Sequence, residues 1–104
     1  MINQDRLVNS FCDLAVIDSP SGDEKEVAAF LIKRLDSLGF NVKQDGYGNV
    51  IAKDEGDFPL LLSAHMDTVE PGRGIHPLVD SERIYTDGST ILGGDCKAGI
   101  SIIL

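Results

Sequence analysis

The stretch Leu60-Leu61-Leu62-Ser63-Ala64-His65-Met66-Asp67 decides how this sequence is interpreted. Residues 60–64 form an apolar run, which predicts an inner strand covered on both faces. His65 and Asp67 follow at its end, and residues two apart on a strand share a face. We therefore expect the Asp67 carboxylate to accept the second N–H of the His65 ring, an arrangement that orients a metal-binding histidine.

A second stretch, Gly93-Gly94-Asp95-Cys96-Lys97-Ala98-Gly99, offers another carboxylate at a junction between elements. The glycines before Asp95 let the backbone turn sharply or approach a metal ion closely. An aspartate at this place can also cap the helix that follows, and both roles can hold because they use different oxygens. Open α/β sheets place their ligand sites at the carboxyl ends of strands, which makes His65 a candidate metal ligand. Asp95, after its two glycines, is the second candidate.

Each of these residues also has a structural alternative. A lone histidine is often a satisfied structural group, and Asp67 could cap the following loop instead of orienting His65. Cys96 is expected to be a small buried side chain rather than a ligand, and Lys97 a solvated or structural charge. A catalytic zinc site uses about three protein ligands plus water, so the ligand set in this chain is incomplete.

Composition excludes several classes of function. The 104 residues carry 9 Lys and Arg against 17 Asp and Glu, a formal net charge of −8, which argues against nucleic acid or an anionic membrane as partner. The first residues lack a signal-peptide pattern, and no segment approaches the ~20 apolar residues that cross a bilayer. Cys12 and Cys96 have no zinc-finger or C-x-x-C spacing, which favours a reduced, cytoplasmic setting.

Helical periodicity dominates the first 40 residues. Residues 4–17 place apolar side chains on one stripe of a helix. Ser21-Gly22-Asp23-Glu24 then has the form of a capping box, in which Ser21 caps the amides of a second helix and Glu24 reaches back. Gly39 is expected to end that helix in the left-handed conformation.

The pattern then changes to strands. We predict strand-forming segments at residues 42–45, 49–53, 60–64 and 83–86. The first two are joined by Gly46-Tyr47-Gly48 as a hairpin, and a last helix is expected to start near Cys96 or Lys97. Helices, an antiparallel pair and an inner strand that leads into a loop and a helix predict an α/β layer architecture, present in part.

The last residues form the apolar run Ala98-Gly99-Ile100-Ser101-Ile102-Ile103-Leu104, which resembles the start of a helix without a cap or breaker. Natural domains seldom stop where a hydrophobic element has begun. We therefore expect residues 1–104 to be the N-terminal piece of a longer protein. A natural C-terminus that docks into its own core is the alternative.

Two motifs together carry a specific resemblance to a known family. Ser63-Ala64-His65-Met66-Asp67-Thr68-Val69, together with residues 86–99, resembles the peptidase T-like tripeptidases of the dinuclear-zinc aminopeptidase, carboxypeptidase and deacylase family. Residues 19–24 resemble the same family, so the similarity runs along essentially the whole chain. The resemblance implies the N-terminal part of a three-layer zinc-peptidase catalytic domain with a mixed central sheet.

The resemblance also implies roles for individual residues. His65 corresponds to a histidine ligand of one of two Zn²⁺ ions, and Asp95 to the aspartate that bridges both. Asp67 corresponds to the carboxylate that orients the histidine, which is its catalytic role. The Asp95–Cys96 peptide bond is expected to be cis. Cys96 departs from the acidic or amide residue often found there, a change not expected to remove activity.

The rest of the family's machinery is expected beyond Leu104. This comprises the general-base glutamate, a further metal carboxylate, a last histidine ligand and an inserted domain for dimerisation and substrate closure. The implied parent is a homodimeric, zinc-dependent exopeptidase that hydrolyses the N-terminal peptide bond of short peptides, and residues 1–104 alone are expected to be inactive. The alternatives are a deacylase of the same family that acts on N-acyl amino acids, and a non-catalytic interaction module with a degenerate site.

Overall fold

Three helices and two short hairpins form the chain. The computed structural model describes residues 2–57 and 59–104. In chain order the elements are α1 (Gln4–Ala15), α2 (Lys25–Ser37), β1 (Asn41–Gln44), β2 (Val50–Lys53), β3 (Leu78–Val79), β4 (Ile84–Tyr85) and α3 (Gly94–Ile103). The predicted α/β class is confirmed. Within the described ranges no helix is both long and apolar enough to cross a membrane.

The helices enclose the main apolar core. Leu14 of α1, Val27 and Leu31 of α2 and Ile100 of α3 are buried against one another. The apolar stripes read from the sequence thus face a common centre, since burial of apolar area is the main favourable term in folding. A second cluster joins Phe11 and Ala15, on α1, to Ile75 in the loop before β3. α3, which carries Asp95, is consequently packed along α1.

The end of α2 has the predicted glycine terminator. Gly39 has a φ of 93°, and its N–H donates to the carbonyl of Asp36 over 3.0 Å. The next amide, that of Phe40, donates to the carbonyl of Leu35 over 3.2 Å. These two bonds form a Schellman motif, which satisfies carbonyls left free at the helix end.

The start of α2 differs from the predicted capping box. Its N-cap residue is Glu24, and no side chain caps the first amides of the helix. Glu24 reaches back as expected, because its Oε1 accepts the N–H of Gly22 over 2.7 Å. The Ser21 hydroxyl does not cap the helix, so this half of the prediction is wrong.

The first hairpin confirms the predicted pairing. β1 and β2 are antiparallel, with Gln44 opposite Val50, and Asp45 holds the turn. Asp45 Oδ1 accepts the N–H of Tyr47 and that of Asn49, each over 2.9 Å. A second antiparallel hairpin pairs β3 with β4; only its second strand was expected from the sequence.

The segment at 60–64 contradicts its prediction. It forms no strand and pairs with no other described segment, and the side chains of Leu60, Leu61 and Leu62 are 63%, 87% and 58% exposed. An inner strand needs neighbours on both sides, and the described residues supply only a single parallel bridge just beyond it, between Pro20 and Thr68. The apolar run therefore lies open on the surface.

Candidate metal centre

His65 and Asp67 are paired as the H-x-D spacing predicts. Nδ1 of His65 lies 3.0 Å from Oδ1 of Asp67 and 3.1 Å from the backbone oxygen of the same residue. A backbone carbonyl can only accept a hydrogen bond, so Nδ1 must carry the proton. This leaves Nε2 as the ring atom that can bind a ligand.

Asp95 reaches the opposite side of the same ring. Its Oδ1 lies 2.8 Å from Nε2 of His65, although the two residues are 30 positions apart in the chain. Gly93, with a φ of 81°, makes the turn that leads into Asp95. A side chain at Gly93 would be strained in this conformation, and its Cβ would lie 3.3 Å from Cγ2 of Thr68. The glycines before Asp95 thus allow the close approach that the sequence suggested.

The contact between Nε2 of His65 and the Asp95 carboxylate requires a positive charge. With its proton on Nδ1, a neutral His65 presents a lone pair at Nε2, and the Asp95 carboxylate also presents lone pairs. Two acceptors are stable at 2.8 Å only when a proton or a cation lies between them. Accordingly, the Asp95 carboxylate raises the pKa of His65, against an opposing effect of burial, and Asp67 adds to the rise.

Cys96 adds a third donor atom. One ligand atom from each of His65, Asp95 and Cys96 lies within 4.8 Å of the others. The Asp95–Cys96 peptide bond is cis, as the resemblance implied. Cys96 is half-buried, so the expectation of a small buried side chain holds only in part. Imidazole nitrogen, carboxylate oxygen and thiolate sulfur are the protein ligands of zinc, so this donor set fits that ion.

A cleft of about 380 Å³ opens at His65 and Asp95. It is lined by His65, Asp67, Val69, Ile91, Leu92, Gly93, Gly94 and Asp95. The aliphatic side chains of Val69, Ile91 and Leu92 form its apolar wall. The His65 side chain is 51% exposed and that of Asp95 is 95% exposed, so the donors are open to solvent. Sites that bind small molecules usually combine a few polar groups with a mostly apolar lining.

Ser21 is the site residue that the sequence interpretation missed. Its hydroxyl donates to Oδ2 of Asp67, the carboxylate oxygen that does not face His65. This bond, followed by the contact with His65, lowers the pKa of Asp67. The S-x-x-E pattern indicated a helix cap, and no spacing in the sequence relates Ser21 to a residue 46 positions away.

The remaining sequence predictions concern residues outside the cleft. His76, the other histidine of the chain, is exposed and does not line the cleft. Lys97 has a structural role, as expected, but it is fully buried rather than solvated. Its Nζ donates to the backbone carbonyl of Ile17 over 2.6 Å. Burial lowers the pKa of Lys97, and the charge of Asp18 opposes that effect.

The chain is similar in sequence to proteins from Bacillus subtilis and Pyrococcus furiosus. No protein-family model matches the chain. The chain is 38% identical over 112 residues to the Bacillus subtilis protein YqjE, covering 97% of this chain and 30% of that protein. It is 45% identical over 73 residues to a Pyrococcus furiosus protein named a putative [LysW]-lysine/[LysW]-ornithine hydrolase, covering 69% of this chain and 22% of that protein.

Two solved structures share the fold. A tripeptidase from Staphylococcus aureus superimposes with a TM-score of 0.90 at 36% identity, covering 99% of this chain and 31% of that one. The aminopeptidase PepT from Bacillus cereus gives a TM-score of 0.89 at 38% identity, covering 98% of this chain and 31% of that one. The chain thus spans about a third of the length of these enzymes. In sequence and in fold the chain therefore matches a short part of a tripeptidase and of a PepT aminopeptidase.

Proposed function

We propose that the His65–Asp95 cleft is part of a zinc-dependent exopeptidase site that hydrolyses the N-terminal peptide bond of short peptides. The observation that carries the proposal is the 2.8 Å approach of Nε2 of His65 to Oδ1 of Asp95, a contact that either a proton or a bound cation can occupy. The tripeptidase and PepT structures, which superimpose over nearly all of this chain, support the same reaction class.

Each side chain has a defined task in this proposal. His65, through Nε2, and Asp95, through its carboxylate, would hold the metal, as the family resemblance implies. Asp67 keeps the proton on Nδ1 of His65 and so keeps Nε2 available. The bound zinc supplies Lewis-acid activation of water and of the scissile carbonyl. The apolar wall of Val69, Ile91 and Leu92 contacts the uncharged part of the peptide.

The complete site requires more than these 104 residues. A catalytic zinc site needs about three protein ligands per ion and a general base. By resemblance, a glutamate base, a further carboxylate and a last histidine lie outside this chain, as does a domain through which the parent dimerises. We expect the purified 104-residue chain to show no tripeptide hydrolysis. A cytoplasmic location suits Cys12 and Cys96, which are both free thiols.

A second candidate function uses the same cleft. The Pyrococcus furiosus relative is named a hydrolase of lysine or ornithine linked to LysW, which matches the alternative of an amide hydrolase that acts on N-acyl amino acids. The metal chemistry of the two reactions is the same, so only the substrate distinguishes them. A degenerate, non-catalytic interaction module is disfavoured by the presence of His65, Asp67 and Asp95 in one cleft. A full-length parent without stoichiometric zinc would favour it.

Metal binding can be tested on this chain alone. Zn²⁺ added to the ¹⁵N-labelled protein should shift the ring resonances of His65 and the backbone amides of residues 93–96. His65→Ala should abolish these shifts, whereas His76→Ala, which removes the exposed histidine outside the cleft, should leave them intact. Equal shifts in both variants would place the ion elsewhere and end the proposal.

The reaction can be tested in a chimera. This chain would replace the matching third of the Bacillus cereus aminopeptidase PepT, with which it shares 38% identity. We expect the zinc-loaded chimera to hydrolyse trialanine and His65→Ala to remove that activity. Turnover of acetylated amino acids in preference to trialanine would favour the deacylase alternative instead.

A further inference from the structure

The connection between α1 and α2 is docked against the residues that follow Asp67. The N–H of Thr68 donates to the carbonyl of Ser19 over 2.8 Å, and Pro20 and Thr68 form a parallel bridge. A little further on, the N–H of Gly74 donates to Oδ1 of Asp18 over 2.8 Å. Ser19 and Thr68 are both buried, so the contact is part of the folded core.

This docking brings Ser21 to the far side of the Asp67 carboxylate. The Ser21 hydroxyl donates to Oδ2, while Oδ1 of the same carboxylate faces Nδ1 of His65. Each oxygen is therefore held by a different partner. A carboxylate held at both oxygens cannot rotate about its last bond without losing a hydrogen bond.

The Ser21 hydroxyl is not engaged in the local bond that its sequence context predicts. Ser21 stands three residues before Glu24, in the pattern of a capping box, yet no side chain caps α2. Serine at such a position would normally bond to the helix amides. Here the hydroxyl turns instead to a carboxylate 46 residues further along the chain.

We infer that Ser21 is a positioning residue for the metal centre: it holds the Asp67 carboxylate so that Asp67 keeps the proton on Nδ1 of His65 and leaves Nε2 free for an ion. The inference rests on the proposed role of His65 as a metal ligand. Asp95 cannot take over this task, because its side chain is 95% exposed and lies against Nε2.

The tautomer of His65 provides a direct test. In water a neutral imidazole prefers the proton on Nε2, whereas the bond to Asp67 favours Nδ1. Long-range ¹H–¹⁵N spectra, recorded without metal at a pH where the ring is neutral, report which nitrogen carries the proton. The spectra are recorded on an Asp95→Ala background, because the Asp95 carboxylate at Nε2 would otherwise favour a proton on that nitrogen. All chains compared in these spectra carry this change, and the chain with the natural residues at positions 21 and 37, called wild type in that comparison, should show His65 with its proton on Nδ1.

Variants at Ser21 separate positioning from general stability. Ser21→Ala should shift the ring towards the Nε2–H form, because the freed carboxylate can turn away, and Ser21→Thr, which keeps the hydroxyl, should restore the wild-type spectrum. Ser37→Ala is the matched control, since it removes a hydroxyl bond of 2.6 Å to the carbonyl of Arg34 at the other end of α2. If Ser21→Ala did not fold, Ser21→Cys would give the same comparison with a much weaker donor.

Two results would overturn the inference. One is a Ser21→Ala spectrum identical to that of the wild type. The other is an equal shift in Ser37→Ala, which would attribute the effect to α2 as a whole.

Titration with Zn²⁺ alone, followed through the His65 ring signals, is the second readout. Losing a direct partner of a metal-bound histidine typically weakens metal binding 10–100-fold, so we expect roughly a threefold loss or more for the more distant Ser21→Ala. Unchanged affinity in this variant would contradict the inference. If Zn²⁺ left the wild-type ring unaffected, the 104 residues alone would not hold the ion, and the tautomer spectra would still decide the role of Ser21.

Discussion

Lys97 Nζ donates a hydrogen bond to the backbone carbonyl of Ile17 over 2.6 Å, across 80 residues of sequence. Lys97 lies in α3 two residues after Asp95, and Ile17 lies just beyond the end of α1. The bond therefore ties the segment that carries Asp95 to the connection that carries Ser21. The lysine is fully buried, so its aliphatic stem also fills space between the helices.

We expect Lys97→Ala to lower the free energy of unfolding by about 2 kcal/mol. The change leaves the Ile17 carbonyl unpaired in the interior and creates a cavity where the stem was. Urea unfolding followed by circular dichroism measures the effect. Lys33→Ala, which truncates an exposed lysine on α2, should change stability by no more than about 0.5 kcal/mol. Equal effects of the two changes would show that the buried bond contributes nothing.

Gly99 leaves room for the Cys96 side chain. A Cβ at Gly99 would lie 2.6 Å from Sγ of Cys96, closer than such atoms approach. Alanine is favoured over glycine inside a helix by about 1 kcal/mol, so the higher helix propensity of alanine at position 99 would stabilise the fold. The clash with Sγ of Cys96 would destabilise it. We expect Gly99→Ala to destabilise the wild-type chain and to stabilise a Cys96→Ala chain. A double-mutant cycle of unfolding free energies tests this, and additive effects would refute it.

The helices and the first hairpin could be predicted because their signals are local. The apolar stripe of α1, the glycine terminator at Gly39 and the turn before Asn49 each depend on residues within a few positions. The pairing of His65 with Asp67 was also predictable, since two residues on one strand face share a fixed spacing. The approach of Asp95 came from the family resemblance, because no local pattern relates residues 30 positions apart.

The errors arose where distant segments decide the outcome. The run at 60–64 was predicted to be an inner strand, but strand burial depends on neighbours that the described residues do not provide. Ser21 was predicted to cap α2, but a tertiary contact with Asp67 takes its hydroxyl. In both cases the local preference was sound, and distant segments decided the outcome: their absence left residues 60–64 unpaired, and the contact with Asp67 took the Ser21 hydroxyl.

The pKa of His65 predicts a pH dependence of stability in the metal-free chain. The neighbouring Asp95 raises this pKa above the ordinary value of 6.5. A group with a raised pKa stabilises the folded state fully below its unfolded pKa, and this contribution is lost as pH rises through the folded pKa. The free energy of unfolding should therefore fall as pH rises from 6.5 through that raised value, by a small amount because the ring is half-exposed.

Substitution isolates the contribution of His65 to this pH profile. His65→Gln should remove the fall in unfolding free energy, and His76→Gln should retain it. Saturating Zn²⁺ should also flatten the wild-type profile above neutral pH, because an ion at Nε2 takes the place of the proton. A His65→Gln profile that matched the wild type would show that the His65–Asp95 contact is absent in solution.

The exposed leucines predict self-association of the 104-residue chain. Leu60, Leu61 and Leu62 are consecutive residues of a segment that pairs with no other described segment, and Leu61 is 87% exposed. Unpaired backbone with exposed apolar side chains favours contact between copies. Light scattering over a range of concentrations should show oligomers. Leu61→Ser should reduce the amount of oligomer without lowering the unfolding free energy. Tyr47→Ser, which changes a 98% exposed residue in the β1–β2 turn, should leave the amount of oligomer unchanged. A monomer at every concentration would contradict this expectation.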